Sequence, residues 1–214
     1  MNRMLLAAAV VVVAAAWWWG REEEVFEDDT DSDALPGFLE DAATAVDQFT
    51  GGVMTLSAMS RVTAYDLQDR NVQAFLRVIR RGEGTADDGG YKRIFGGGTF
   101  TSFADHPRVL VKKSGYSSTA AGAYQFIKST WDMTREVMKL PDFSPASQDK
   151  GAVGLIAMRG ALADVKAGRL EAAIRKCGLE WASLPFSPYG QPVISMDTAR
   201  KVFAASGGME LVAA

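Results

Sequence analysis

The sequence predicts an α+β domain in which one helix leads into a small antiparallel sheet and further helices follow. Three observations support this class. An amphipathic helix pattern ends at Gly82, a glycine-punctuated stretch typical of strand–turn–strand comes next, and helix-forming segments occupy most of the chain after Ser118. Two lobes joined in this way leave a natural cleft between them. The 214 residues, 48% of them apolar, suffice for one such domain with a sizeable core.

The first helix of the domain is predicted between Asp69 and Gly82. Apolar residues recur at the i, i+3, i+4, i+7 spacing of a helix with one buried face. These residues are Val72, Phe75, Leu76 and Ile79. Asp69 or Asn71 provides the N-cap and Gly82 the stop. The next residue is Glu83, so its carboxylate is fixed just past the end of a packed helix, between two glycines.

The later elements follow from turn and cap signals. The stretch YKRIF-GGG-TFTSF, residues 91–103, predicts two short strands around a glycine turn. Its glycines lack the following Lys-Ser/Thr of a P-loop, so nucleotide binding is not indicated. The segment AAGAYQFIKSTWDMTREVMKL, residues 120–140, predicts a second helix, and Ser144-Pro145 caps a third that runs to about Arg159. Shorter helices are expected at residues 162–166, 170–176 and 197–205.

The first 20 residues predict a transmembrane helix. An uncharged run rich in Ala and Val extends from Met4 to Gly20, and its three tryptophans match an interfacial aromatic belt. As a helix this run rises about 25 Å, the short limit for spanning a bilayer. Membrane contact is expected through residues 4–19, with the N-terminus inside, although one basic residue flanks each end. A cleaved signal peptide is the alternative, because Ala14–Ala16 offers a small-residue site.

Residues 21–69 are expected to form an acidic linker or spacer, and residues 70–214 the compact domain. The tract from Glu22 to about Asp33 is acidic and poor in apolar residues, which is typical of a solvated linker. A net charge of −3 gives no reason to expect a nucleic-acid partner.

The rarer side chains are expected to be structural. The single cysteine, Cys177, excludes an internal disulfide framework and fits a small buried residue. The single histidine, His106, is expected to be a turn or structural residue. Together they show no usual zinc spacing, so no metal or organic cofactor is called for. Trp131 and Trp181 fall on segments predicted as helical and are expected in the core.

Six blocks in series resemble the phage lambda endolysin family of lytic transglycosylases, which has a lysozyme-like fold. They are RRGEGTADDGGY, FGGGTFTSFADHPR, STAAGAYQFIKSTWD, LPDFSPASQD, RGAL and EWASLPFSPYGQP. The resemblance runs from about Phe75 to Gly207, nearly the whole domain, with similar spacings. Any one block is weak evidence for the resemblance, whereas six blocks in one order are specific evidence for it. The resemblance does not cover residues 1–69, so localisation and biological role stay open.

The resemblance implies that Glu83 is the catalytic acid/base, cleaving the β-1,4 bond between N-acetylmuramic acid and N-acetylglucosamine in peptidoglycan. A carboxyl held neutral by an apolar wall can protonate the glycosidic oxygen and then, as a carboxylate, accept a proton. Hydrolases usually add a second carboxylate. In lytic transglycosylases the 6-hydroxyl of muramic acid attacks instead, so one acid suffices. Asp87, Asp88 and Asp105 are the carboxylates nearby in sequence, and each also fits a turn or sheet-end position.

Further residues are candidates for substrate binding. Tyr124 and Gln125 in GAYQF match a family cleft motif, where the amide can bond acetamido or hydroxyl groups; packing explains Tyr124 equally well. Tyr189 and Gln191 lie in the Gly/Pro loop SPYGQP, a usual place for binding groups. Asp105 completes the candidates.

The resemblance implies glycan strands of bacterial peptidoglycan as the partner. The predicted anchor, with its N-terminus inside, is expected to place the domain on the periplasmic side of the host inner membrane. Two biological roles are compatible with this chemistry: an endolysin whose weak anchor later releases, and a virion-borne lysin. A hydrolytic lysozyme on the same fold is an alternative. A non-catalytic peptidoglycan-binding or membrane-spacer protein is another, against which an intact Glu83 argues.

Overall fold

A computed structural model describes residues 56–113 and 116–211. The predicted transmembrane helix at residues 1–20, and the predicted linker up to residue 55, lie outside the described residues. Within the part of the chain that is described, no helix is long and apolar enough to cross a bilayer.

The described residues confirm the α+β class, with helices around one small antiparallel sheet. The helices are α1 (Leu56–Met59), α2 (Ala64–Gln68), α3 (Arg70–Gly82), α4 (Lys128–Met138), α5 (Pro145–Met158), α6 (Leu162–Lys166), α7 (Leu170–Cys177) and α8 (Met196–Ala205). The sheet pairs β1 (Val111–Lys113) with β2 (Tyr116–Ser118), Val111 lying opposite Ser118.

Helix α3 forms where the sequence predicts it. The Asp69 carboxylate accepts hydrogen bonds from the amides of Asn71 (2.9 Å) and Val72 (3.1 Å), which satisfies two free N–H groups at the helix start. The apolar face is fully buried, including Phe75 and Ile79. The helix therefore presents a rigid C-terminal end to the segment that follows it.

The strand prediction for residues 91–103 is wrong. Short 3-10 turns occupy Gly90–Lys92 and Phe95–Gly97, and the ladder there is reduced to an isolated bridge between Arg93 and Thr99. Gly96 and Gly97 both have positive φ, so the chain folds back too tightly for paired strands to extend. The paired strands are instead Val111–Lys113 and Tyr116–Ser118, where mostly polar residues give no apolar alternation to detect.

The second predicted helix begins later than expected, at Lys128 instead of about residue 120. Residues 120–126 form a turn closed by an antiparallel bridge between Ala121 and Phe126, with positive φ at Gly122 and Gln125. Alanine and glutamine favour a helix in isolation, but tertiary hydrogen bonds override that preference. The third predicted helix is confirmed as α5, capped by Ser144 with Pro145 at its first position.

One hydrophobic core spans the described helices, with α5 at its centre. Helix α5 contacts α1, α2, α3, α4 and α6, and it is buried continuously from Gly151 to Met158. Met59 on α1 is also fully buried, so the core includes part of the segment expected as a spacer. Trp131, Trp181 and Cys177 lie in the core as predicted, although Trp181 follows α7 instead of lying on a helix.

Candidate active site

Glu83 is a buried carboxyl at the C-terminal end of α3. Its side chain is 8% exposed. The hydroxyl of Ser183 donates to its Oε1 at 2.6 Å. Its Oε2 is buried and has no hydrogen-bond partner among the described residues. Burial raises the pKa of Glu83 from its ordinary value of 4.5 to about 7, and the bond from Ser183 opposes this rise. Near neutral pH the group can therefore both donate and accept a proton.

The two glycines beside Glu83 have different structural roles. A Cβ at Gly82 would lie 2.5 Å from the Ser183 hydroxyl oxygen, so only glycine leaves room for that hydroxyl. Gly84 has a φ of +67°, a left-handed conformation that turns the chain away from the helix axis. The Ser183 hydroxyl can therefore approach the Glu83 carboxyl closely beside Gly82. The backbone turns away from the helix at Gly84.

The loop that follows Glu83 is held by buried polar groups. Arg80 donates to the carbonyl of Thr85 (2.8 and 3.1 Å) and to that of Asp87 (2.8 Å). The fully buried hydroxyl of Thr85 donates to the carbonyl of Ala123 at 2.5 Å. These bonds connect the Glu83 loop to the 120–126 turn and fix its path.

Tyr124 and Gln125 point their polar atoms into the fold. Tyr124 is 2% exposed, and its hydroxyl donates to Asp149 Oδ1 at 2.6 Å. The hydroxyl of Tyr91 donates to the same oxygen at 2.8 Å. Gln125 is also buried, and its amide nitrogen donates to the carbonyl of Gly122 at 2.9 Å. Both residues border the Glu83 loop through Ala123, and their contact with substrate stays a prediction.

Asp105 lies in a network of cations. It accepts from Arg108 (2.9 Å), from Arg135 (3.1 Å) and from the indole N–H of Trp131 (3.2 Å). Burial raises its pKa, but the bonds from the His106 amide, Arg108 and Trp131 outweigh this and lower it below the ordinary value. A role for Asp105 in substrate binding stays a prediction.

His106 has the structural environment expected of it. It is 2% exposed, its Nε2 lies 2.8 Å from the carbonyl oxygen of Phe126, and the amide of Arg108 donates to its Nδ1. An Nδ1 that accepts leaves the proton on Nε2, which then donates to Phe126. Burial lowers the pKa of His106. The ring is therefore neutral and ties residues 105–108 to the 120–126 turn.

The two candidates in the SPYGQP loop differ in their bonding. The hydroxyl of Tyr189 donates to the carbonyl of Leu179 at 3.0 Å. The side-chain carbonyl oxygen of Gln191 is buried and has no partner in the described part of the chain. Three residues later, the amide of Ile194 donates to the carbonyl of Ser183 at 2.9 Å. This bond connects the loop to the serine that contacts Glu83.

The other carboxylates close in sequence to Glu83 are placed differently. Asp87 is more than half exposed and forms an ion pair with Arg93 at 2.7 Å, and Asp88 is exposed. Across residues 56–113 and 116–211, no three His, Cys, Asp or Glu side chains converge as metal ligands would.

Sequence reasoning missed two residues that the structure connects to this region, Ser183 and Asp149. Both lie inside blocks that carry the family resemblance, WASLP and SPASQD. Nothing local distinguishes a buried serine hydroxyl from a loop serine, and Ser183 is 100 positions from its partner. Such pairs become visible only in three dimensions.

A buried glutamate at the end of the first long helix of a mainly helical α+β domain with one small antiparallel sheet is the arrangement of a lysozyme-like protein. A solved structure of bacteriophage lambda lysozyme complexed with a chitohexasaccharide superposes on 66% of this chain and 97% of that one, with a TM-score of 0.64 and 39% identity. A second structure of lysozyme from bacteriophage lambda gives a TM-score of 0.62 at 38% identity, with the same shares covered.

Sequence comparison gives the particular family. The Endolysin family model matches residues 73–210, and the chain belongs to that family. The endolysin of Escherichia phage P2 is 40% identical over 156 residues, covering 65% of this chain and 94% of its own. The endolysin of Escherichia phage lambda is 42% identical over 144 residues, covering 64% and 90%. The predicted resemblance to the phage lambda endolysin family is thus confirmed.

Proposed function

We propose that this endolysin-family chain is a lytic transglycosylase that cleaves the β-1,4 bond between N-acetylmuramic acid and N-acetylglucosamine in peptidoglycan. The observation that carries the proposal is Glu83, a buried carboxyl with one unpartnered oxygen and a pKa raised to about 7. A carboxyl that is partly neutral at neutral pH can act as a general acid.

In the proposed reaction Glu83 acts twice, first as an acid and then as a base. Neutral Glu83 donates its proton to the glycosidic oxygen as the bond from that oxygen to C1 of muramic acid breaks. The 6-hydroxyl of the same sugar then attacks C1, and the Glu83 carboxylate takes the hydroxyl proton. The glutamate returns to its neutral form, and the product carries a 1,6-anhydro ring with no water consumed.

The ion pairs of Asp87 and Asp105 support a single-acid reaction. Retaining and inverting hydrolases hold their two carboxyl groups about 5–10 Å apart across the scissile bond. Here Asp87 is paired with Arg93, and Asp105 with Arg108 and Arg135. Their carboxylates are engaged with cations and are poorly suited to act as a free nucleophile or base.

Glu83→Gln tests the assignment of the acid. Glutamine keeps the size and polarity of the side chain but has no proton to transfer, so release of muropeptides from purified sacculi should fall at least about a thousandfold. Glu136→Gln makes the same chemical change at an exposed glutamate and should retain full activity. A folded Glu83→Gln protein that clears sacculi at a rate near that of the wild type would refute the proposal.

The products distinguish the transglycosylase from a hydrolytic lysozyme. Mass spectrometry of the released muropeptides should show 1,6-anhydromuramic acid ends, each lighter by one water than the hydrolysis product. Ordinary reducing ends alone would assign the chain to the hydrolases, and Asp87 and Asp88 would then become the first residues to substitute.

We also propose that the SPYGQP loop contacts the glycan through Gln191 and Tyr189. An unpartnered buried acceptor such as Gln191 Oε1 gains a bond when a ligand N–H or O–H reaches it, and acetamido and hydroxyl groups supply both. Gln191→Leu should weaken the binding of chitohexaose about tenfold, measured by calorimetry. Unchanged affinity would remove Gln191 from the cleft. Tyr124, Gln125 and Asp105 are further proposed cleft residues, and the same assay tests them.

For the N-terminal segment we propose a membrane anchor at residues 4–19 that holds the domain on the periplasmic side of the inner membrane. The support is the apolar run with its tryptophans, followed by an acidic stretch. Expressed in bacteria, the full chain should fractionate with the inner membrane and keep Met1. A mature chain starting near Trp17 would instead establish a cleaved signal peptide.

A further inference from the structure

The carboxyl group of Glu83 is asymmetric in its surroundings. Its Oε1 accepts the hydroxyl proton of Ser183 at 2.6 Å, whereas its buried Oε2 has no partner within the described residues. An oxygen that accepts a hydrogen bond is the carbonyl-type oxygen of a neutral carboxyl, so the acidic proton belongs on the other oxygen.

We propose that Ser183 is a positioning residue for Glu83, which assigns the transferable proton to Oε2 and stabilises the carboxylate formed when that proton leaves. The inference rests on the proposed role of Glu83 as the acid. When Oε2 donates its proton to the glycosidic oxygen, negative charge spreads over both carboxylate oxygens. The bond from Ser183 then becomes charge-assisted and stronger, so it assists the step in which charge develops. Ser183 keeps its own proton throughout.

The serine is held rigidly enough for this role. Ser183 is 2% exposed, and its carbonyl accepts from the amide of Ile194 at 2.9 Å. Two residues earlier, the indole of Trp181 is buried in the core and donates to the carbonyl of Tyr124 at 3.2 Å. The hydroxyl is therefore delivered by a backbone segment that is fixed on both sides of it.

Gly82 is also required for the hydrogen bond between Ser183 and Glu83. A Cβ on residue 82 would lie 2.5 Å from Ser183 Oγ and 3.2 Å from its Cβ, so any side chain there must displace the hydroxyl. The absence of a side chain immediately before the acid is thus a requirement of the Ser183 contact. This explains why a helix with good helix-forming residues ends in glycine directly before Glu83.

Two substitutions that share no chemistry test the inference in the full-length protein. Ser183→Ala removes the donor, and Gly82→Ala leaves the serine intact but pushes its hydroxyl away. Removing a bond to the charged form raises the pKa of a carboxyl. Both variants should therefore move the alkaline limb of the pH–rate profile upward by about one pH unit and lower the maximal rate about tenfold. Sacculus digestion gives the rate, and chitohexaose affinity should change less than about threefold.

A double variant and a conservative variant complete the design. Because both changes break one contact, Gly82→Ala combined with Ser183→Ala should be no worse than either alone. Ser183→Thr retains a hydroxyl and should keep the alkaline limb near its wild-type position. Circular dichroism and urea unfolding confirm that each variant is folded.

The inference is overturned if Ser183→Ala keeps the wild-type alkaline limb, or if the two losses add while the pH profile stays unchanged. Additive losses with an unchanged pH profile would mean that Ser183 and Gly82 affect activity only through packing. Failure of the proposed function is a separate result, because it appears as lysis by Glu83→Gln. An inactive Glu83→Gln together with an unshifted Ser183→Ala would overturn the role of Ser183 alone.

Discussion

Replacing Glu83 with glutamine should stabilise the folded domain at alkaline pH while it abolishes activity. Burial raises the pKa of Glu83 from 4.5 to about 7. Between these values the folded state retains a proton that the unfolded state has released, so the free energy of unfolding falls as pH rises through this interval. At 1.36 kcal/mol per pKa unit, the shift from 4.5 to about 7 corresponds to a loss of about 3 kcal/mol. Glutamine cannot ionise, and its carbonyl oxygen can still accept from Ser183.

Urea unfolding of the full-length protein in mild detergent, followed by tryptophan fluorescence, measures the difference. At about pH 8 the Glu83→Gln variant should exceed the wild type by about 3 kcal/mol, and at about pH 4 by less than about 1 kcal/mol. Glu136→Gln, at a glutamate whose side chain is 79% exposed, should show no comparable gain at either pH. Equal stability of wild type and Glu83→Gln at about pH 8, or an equal gain at both pH values, would contradict the burial argument.

Substitutions at three further positions test the surroundings of the site by urea unfolding. Gly122→Ala should cost about 2–4 kcal/mol, because φ is +78° there and the added Cβ would overlap the side chain of Gln148; wild-type stability would contradict this. Asp149→Leu removes the acceptor for two tyrosine hydroxyls and should cost about 2–4 kcal/mol, whereas Asp149→Asn, which keeps an acceptor oxygen, should lose less than half as much. Burial lowers the pKa of His106, so its folded state resists protonation and stability is lost as pH falls below about 6.5. His106→Gln should reduce that acid-side loss, and an unchanged pH dependence would argue against a neutral buried ring.

The parts of the fold that follow from sequence are those with local causes. Helix α3 has its cap, its apolar spacing and its stop within residues 69–82, and it forms as predicted. Helix α5 likewise begins at a serine cap with proline at its first position. In both helices the residues that predict the helix lie within it or directly beside its ends.

The 120–126 turn shows why other parts could not be predicted. Its composition favours helix, yet Ala123 donates to the side chain of Gln148 at 2.8 Å, and the hydroxyl of Tyr124 bonds Asp149. Both partners lie on α5, about 25 residues further along. Only the assembled core supplies those bonds, so propensity within the segment predicts the wrong conformation. The same reasoning applies to the site, where Glu83 is marked by its local glycines and Ser183 is not.

The environment that suits Glu83 to its proposed role as the acid is also one that opposes its ionisation. An exposed glutamate has a pKa near 4.5 and would be almost wholly ionised at neutral pH, leaving little acid to protonate a leaving group. Burial corrects this but destabilises the fold whenever the group ionises. The loop can tolerate that because Arg80, Thr85 and the 120–126 turn hold its backbone independently of the carboxyl. The hydrogen bond from Ser183 favours the carboxylate and therefore limits the rise of the pKa of Glu83. Without that bond the desolvated carboxyl would have a still higher pKa and would be a weaker acid. Acid strength at this site is therefore set by two opposing contributions, burial by the core and one hydroxyl admitted by Gly82.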